Sequence, residues 1–422
     1  MDLCTPEFYG YKIGQNIVPY INKCIAENGE CYISEGEHVF GRNDSNHFLG
    51  HVWSDSCITW GWGRKDNVKI IGAGIDKTIF KLVDKVNTKE IFGKKALNIK
   101  MISTNYNESC NNNWIEGITF DGNYDNNNES CTLAAIHIRG ANNTVKNCKF
   151  INFGVGQDQE AECFQLFLTT FKPEDKGPNI ISNVFEKMGN KRNSKSGHCP
   201  ENTIVAAAGT NSIIRKNTFN NCLFHPKDQQ SPLHGISIGE SFDTEISENI
   251  FNKFQGACFY VDSWRNERVN ISNNKCFDVW NFINLTCQTW GNEKQISFNK
   301  DFNIVNNKIT LSSEDVYYQH DAFPIVSCFF SYNYDPRLDR NKFPAFQNII
   351  AKNNKVTLGF RESQKGIFQE SSKLICFWGA PIDDSKIKLT DNEFISTLIK
   401  PAEKTFWQKI KEFFQRFLGR IF

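Results

Sequence analysis

Apolar and polar positions in this chain recur in one local frame: an apolar residue, a slot three positions on, and a second apolar residue two beyond the slot. Eight units share it: Val145/Cys148/Phe150, Ile180/Asn183/Phe185, Ile214/Asn217/Phe219, Ile246/Asn249/Phe251, Ile271/Asn274/Cys276, Ile304/Asn307/Ile309, Ala351/Asn354/Val356 and Leu389/Asn392/Phe394. Asparagine fills every slot but the first, and a ninth unit, Ile115/Ile118/Phe120, opens the series with an apolar slot. Successive slots lie 30, 35, 34, 32, 25, 33, 47 and 38 residues apart, and a repeat in this range with variable insertions predicts a solenoid. Each unit is a short run of β-branched and aromatic residues bounded by Asn, Gly, Asp and Ser, without a helical stripe between units. The coils are therefore short strands joined by turns, stacked in parallel about 4.8 Å apart. Asparagine in the slot suits a turn of left-handed backbone, and its amide, stacked coil on coil, predicts an Asn ladder.

Two stretches carry the helical period instead. Near the start, Ile17, Tyr20, Ile21, Cys24 and Ile25 lie on one helical face that ends at Asn28 and Gly29, and a strand–Gly–strand pattern follows from Cys31 to Phe40. Residues 68–74 and 78–82 read as the next coil. At the other end Phe406, Trp407, Ile410, Phe413, Phe414, Phe417, Leu418, Ile421 and Phe422 form a continuous stripe opposite Lys409, Lys411, Arg416 and Arg420. A helix of this kind covers the open last coil, makes a self-association contact, or lies on a membrane surface. The expected organisation is an N-terminal cap and entry segment over 1–64, a parallel β-helix over 65–398 and an amphipathic helix over 401–422.

With a short helix leading into strand, glycine turn and strand, and the Asn-slotted coils behind it, the chain resembles the right-handed parallel β-helices of the pectate-lyase-like superfamily over nearly its whole length. The resemblance implies an all-β, single-stranded right-handed parallel β-helix with a helical N-terminal cap. It also implies action on a polysaccharide.

Composition narrows the partners. With 48 basic and 47 acidic residues the net charge is +1, so no global field draws nucleic acid to the chain. No apolar run is long enough to span a bilayer, and Met1 to Pro6 lacks the pattern of a signal peptide. The fifteen cysteines show no zinc spacing; Cys148, Cys258, Cys276, Cys328 and Cys376 fall at apolar, slot or strand positions, where free thiols serve as small hydrophobes. Free thiols suit an intracellular or virion setting.

Candidate chemistry lies on the strand preceding each slot. The segments beginning at Ile136, Phe164, Ile204, Ile236, Phe259 and Ile283 align with first and third residues inward and second and fourth outward. Two outward files result: His137, Gln165, Val205, Ser237, Tyr260, Asn284, and beside it Arg139, Phe167, Ala207, Gly239, Asp262, Thr286. A low floor at Ala207 and Gly239 between larger polar and aromatic groups describes a groove for an extended polysaccharide. Glu240 and Asp262 flank that floor as the candidate carboxylate pair for glycosidic cleavage. The run from His234 to Glu240 resembles the histidine motif of polygalacturonase-type β-helix hydrolases, which implies that His234 assists the carboxylates; the family's aspartate pair is missing from Thr203 to Ala208. His137, Arg139, Gln165, Ser237, Tyr260, Trp264, Arg265 and Asn284 are the candidate sugar contacts.

No cofactor is expected for hydrolysis. A lyase would require Ca2+ held by several carboxylates, and no three acids stack on adjacent coils; the densest acidic run is Asp158, Glu160 and Glu162. Two classes stay open: a glycoside hydrolase or polysaccharide lyase, and a noncatalytic β-helix serving as sugar-binding adhesin, virion fibre or scaffold.

Overall fold

The computed structural model describes residues 3–41, 57–59, 66–84, 98–104, 109–127, 132–154, 163–190, 202–224, 233–261, 265–287, 299–311, 328–334, 346–360, 375–378 and 387–398. Every strand pairing among them is parallel, and partners belong to successive turns of the chain: Val145 pairs with Ile115 and Ile180, Ile180 with Ile214, Ile214 with Ile246, and so on to Ala351 and Leu389. This is a parallel β-helix. Among the described residues no helix is long and apolar enough to cross a membrane.

The predicted ladder is present in detail. Asn217 donates its backbone N–H and its side-chain Nδ2–H to the Oδ1 of Asn249, each at 3.0 Å, and Asn249 does the same to Asn274 at 2.9 and 3.0 Å. The pattern runs from Asn183 to Asn392. Each amide also donates backwards to the carbonyl of the apolar residue that opens the preceding unit, Asn217 to Ile180 and Asn249 to Ile214. That second bond explains why the apolar residue and the slot keep a fixed separation. Cys148 keeps the place with a weaker donor, its Sγ–H pointing to the Ile115 carbonyl at 3.8 Å while its N–H donates to Asn183.

One expectation about the slot needs correcting. The left-handed backbone belongs to the residue before it: Asn147, Ser182, Lys216, Glu248, Asn273, Asn306, Asn353 and Asp391 all have φ between 50 and 60°. The asparagine turns its amide into the coil interior, where it must satisfy carbonyls and N–H groups that water does not reach. The residue ahead of it points outward, so almost any side chain is accepted there.

The second apolar position builds the core. Phe120, Phe150, Phe185, Phe219 and Phe251 stack ring on ring, with centroids 5.3, 4.9, 4.8 and 4.3 Å apart and planes within 12° of parallel. Parallel in-register coils place identical side chains above one another, which makes face-to-face aromatic ladders available to this fold. Truncating Phe219 to alanine is expected to cost about 3–5 kcal/mol in urea unfolding, because its two stacked neighbours hold the cavity open.

At the N-terminus the helix Val18–Asn28 buries Val18, Ile21, Cys24 and Ile25, and Gly29 ends it in left-handed backbone with φ 73°. Cys31 to Ile33 and Gly36 to Phe40 already pair with the coil of Ile70 and Phe80, so the helix packs on the first coil and shares the solenoid's core. Buried His38 lies there with Nδ1 2.8 Å from the Tyr11 hydroxyl and Nε2 3.1 Å from the Ser34 carbonyl. The carbonyl accepts, so Nε2 carries the proton and Nδ1 accepts from Tyr11. The predicted helix of 401–422 lies outside the described residues, as does the Asp158–Glu162 run. Cys4, Cys24, Cys31, Cys110, Cys148, Cys222, Cys258 and Cys276 are free thiols.

Candidate functional site

The outer face of the strands Thr132–Arg139, Cys163–Thr169, Asn202–Thr210, Leu233–Phe242, Ile250–Val261 and Lys275–Cys287 carries the candidate residues. Register places Ile136, Leu166, Val205, Ile236, Phe259 and Ile283 in one inward file. The outward file beside it reads Ser103, His137, Phe167, Ala206, Ser237, Tyr260, Asn284. Four of the six expected members of the first file are there. Gln165 and Val205 are not: both are fully buried, and Phe167 and Ala206 hold their places. Phe167 and Ala207 also leave the second file, where Thr169 stands next to Arg139 and Ala207 faces the core in register with Ile238.

The cause is a bend that strict alternation does not anticipate. At this point in each coil two consecutive residues face inward, Gln165–Leu166, Ile204–Val205, Gly235–Ile236, Cys258–Phe259 and Phe282–Ile283, before alternation resumes. Gly235 shows how tight the bend is: a Cβ there would stand 2.5 Å from the Phe251 ring and 2.6 Å from the Cys258 carbonyl. The residues just before the bend form a third outward file, Phe164, Thr203, His234, Ala257 and Asn281.

Two clusters stand on this face. In the central one the His234 ring lies flat on the Tyr260 ring of the next coil, centroids 3.7 Å apart and planes 9° from parallel, and both side chains are buried, 4% and 9% exposed. Ser237 adjoins them in register with Tyr260, and small Ala206 and Ala257 leave the floor low on either side. Thr203, one coil below His234, and Asn284, one coil above Tyr260, each have a buried side-chain oxygen without a protein hydrogen-bond partner. Such atoms call for a ligand or water hydroxyl.

Glu240 lies three residues beyond Ser237 on the same strand. It lies inside its strand, at a register shift between Ala207 and Gly209 of the preceding coil, and has φ 50°. A bulge of this kind re-aims a side chain beside a functional face. Burial raises the Glu240 carboxyl above its ordinary value, and the charge of Arg139 offsets part of that rise. The carboxyl is thus biased toward the protonated, proton-donating form.

The second cluster sits on the earlier coils. Lys100 brings its Nζ to 2.8 Å from His137 Nδ1, and both side chains are buried. His137 also lies on the Phe167 ring at 4.0 Å. Burial and then the Lys100 charge push the His137 imidazole well below its ordinary range, so it is neutral and accepts from the ammonium. Arg139 lies 4.1 Å above the Phe171 ring. Lys100 was missed in the sequence, although a lysine among Ile99, Met101 and Ile102 is a visible signal of a buried cation needing an acceptor.

Arg265 is placed elsewhere. It pairs with Glu267 at 2.6 Å, and Arg268 joins Glu267 at 3.1 Å and Asp243 at 2.6 Å, beside the Phe242 ring. Asp262 and Trp264 lie outside the described residues. Among the described residues no three His, Cys, Asp or Glu side chains come together as metal ligands.

His38 and His137 predict a pH dependence. Burial is the first cause of depression in both. A base whose folded pKa is depressed leaves stability unaffected above its unfolded value, near 6.5, and stability falls as pH drops below it, because only the unfolded chain takes up the proton. Urea midpoints measured from pH 7.5 to 5 are expected to fall, and His137→Asn is expected to flatten part of that slope. A midpoint independent of pH over this range would contradict the buried, neutral assignment.

No protein-family model and no curated protein matches the chain. Among solved structures it is similar to the A-module of mannuronan C-5 epimerase AlgE4 from Azotobacter vinelandii, at 12% identity and TM-score 0.38, over 94% of this chain and 100% of that one. It is also similar to the Streptococcus pneumoniae surface protein and adhesin PfbA, at 12% identity and TM-score 0.45, over 94% and 100%. A third is the tailspike protein of E. coli bacteriophage HK620 in complex with a pentasaccharide, at 12% identity and TM-score 0.40, over 92% and 64%. The likeness to all three is one of fold.

Proposed function

We propose that this chain is a carbohydrate-active β-helix protein that binds an extended polysaccharide across its outward files and cleaves it at Glu240. The observation that carries the reading is the His234–Tyr260 ring stack, beside a low alanine floor and on the same face as a bulge-borne carboxyl whose pKa is raised by partial burial. Flat rings suit the apolar face of a sugar, and Ser237, Thr203 and Asn284 suit its hydroxyls. In this reading Glu240 protonates the leaving oxygen and Asp262 is its carboxylate partner. His234 holds the substrate against Tyr260, and Arg139 contacts sugars further along the face. Proton transfer from a positioned acid contributes roughly 10²–10⁴-fold.

The low floor at Ala206 and Ala257 also favours a second reading, a noncatalytic sugar-binding protein, because it admits a chain without requiring chemistry. Incubation with a panel of neutral and acidic polysaccharides, with product reducing ends and unsaturated ends measured beside binding, separates the two. New ends support cleavage, and binding without new ends supports the adhesin-like reading. Neither binding nor new ends across the panel defeats both.

A further inference from the structure

The two ends of the solenoid's core are closed differently. The file of first apolar residues begins at Cys31 and runs to Leu389, and the file of second positions begins at His38 and runs to Phe394. On the first coil Cys31 and His38 are both 0% exposed, where the helix Val18–Asn28 and the segment of Tyr11 pack against that coil. On the last coil Phe394 is 39% exposed, while Val356, Ile309 and Cys276 behind it in the same file are each at 0%. Leu389 is only partly buried. Among the described residues no strand pairs with the outer side of Ile387–Thr390 or Glu393–Leu398, and Asn392 is the last rung of the ladder. An apolar cross-section with open strand edges needs a cover.

We propose that residues 401–422 supply that cover in cis, laying the apolar stripe from Phe406 to Phe422 across Leu389 and Phe394 as an amphipathic helix. The stripe is two residues wide at Phe406–Trp407, Phe413–Phe414 and Phe417–Leu418, a width that suits a flat apolar surface better than a narrow seam. A helix over 406–422 measures about 25 Å, against about 20 Å for the strand Glu393–Leu398, so the stripe is long enough to cross the coil. Residues 399–405 form a tether that reaches at most about 25 Å, enough to turn the chain back over the coil it has just left.

A second copy or a membrane surface also accepts an apolar stripe, but the last coil favours the cis arrangement. So short a tether holds the stripe at an effective concentration of about millimolar beside Phe394, which a second copy must exceed to compete. Docking in cis removes two apolar surfaces from water in one step, whereas a membrane-bound stripe leaves Phe394 and the open strand edges uncovered. Lys409, Lys411, Arg416 and Arg420 then stay on the solvent side, and a polar outer face is what a terminal cap requires.

The test is hydrogen exchange of the full chain, read by mass spectrometry. In the parent protein the amides of 406–422 and of 387–398 are expected to be protected, and equally so at every protein concentration. Phe413→Asp with Phe417→Asp is expected to speed exchange in both segments by at least about tenfold and to leave the coils of Asn183 to Asn249 as they were. Lys411→Glu, on the polar face, is expected to change neither segment. Phe394→Asp, made on the coil instead, is expected to release 406–422 in the same way, which keeps the test independent of how any one variant folds. Exchange of 406–422 at the rate of an unstructured peptide in the parent would overturn the proposal, as would protection of 387–398 that the Phe413→Asp and Phe417→Asp changes leave intact. Protection that fades on dilution assigns the surface to a second copy. Protection of 406–422 that arises only with vesicles containing phosphatidylserine assigns the stripe to a membrane, and either result overturns docking in cis.

Discussion

Glu240→Gln is expected to lower the rate of polysaccharide cleavage by about 10²–10⁴-fold while leaving polysaccharide affinity and the unfolding midpoint close to those of the parent protein. Glutamine keeps the size and hydrogen-bonding oxygen of the side chain but has no proton to give. The same assignment predicts a pH profile. A general acid must be protonated, so cleavage should fall as pH rises through the Glu240 pKa, which burial has raised above the ordinary carboxylate value of 4.5. Arg139 opposes that rise, and Arg139→Ala is therefore expected to move the alkaline limb to higher pH. Cleavage by Glu240→Gln at the parent rate would remove Glu240 from the chemistry. An alkaline limb that shifts downward in Arg139→Ala would show that the arginine acts by another route.

A large stability effect is also expected at the ladder. Asn249→Ala removes the acceptor for the Asn217 backbone N–H and Nδ2, and the donor to the Ile214 carbonyl and to Asn274. The partners stay behind in a dry interior, where each unsatisfied group costs about 1–3 kcal/mol and some retain a second bond, so a total of about 2–5 kcal/mol is expected in urea unfolding. Asn252→Ala, three residues away on an exposed position of the same coil, is expected to change stability by less than about 0.5 kcal/mol. Equal effects at the two positions would show that the ladder is not what holds neighbouring coils in register.

Much of the solenoid was legible before any coordinates. The slot and its two apolar companions follow from contacts within one unit and its immediate neighbours, and the same constraint repeats on every coil. That is why Asn183, Asn217 and Asn249, and Phe185, Phe219 and Phe251 below them, could be aligned without knowing the insertions. The left-handed residue was misplaced by one position because asparagine is favoured both for that backbone and for buried amide ladders, and here the second role won.

The functional face was legible only in part. His137, Ser237, Tyr260 and Asn284 share a file as alternation predicts. Gln165 and Val205 do not, because the extra inward residue at the bend shifts the phase between one side of it and the other. His234 was singled out from its motif, but its stacking partner Tyr260 lies 26 residues on, brought onto it only by coil register.

The sequence by itself therefore determined the repeat, the parallel stacking, the asparagine ladder and the buried aromatic column, since each arises from short-range spacing that every coil must satisfy. Only the tertiary structure decided which residues of different coils face one another: Lys100 with His137, and His234 with Tyr260. The physical reason is that such meetings depend on coil length and on the bend within each strand. Those quantities are set by packing around the whole turn, and no local pattern of apolar and polar residues encodes them.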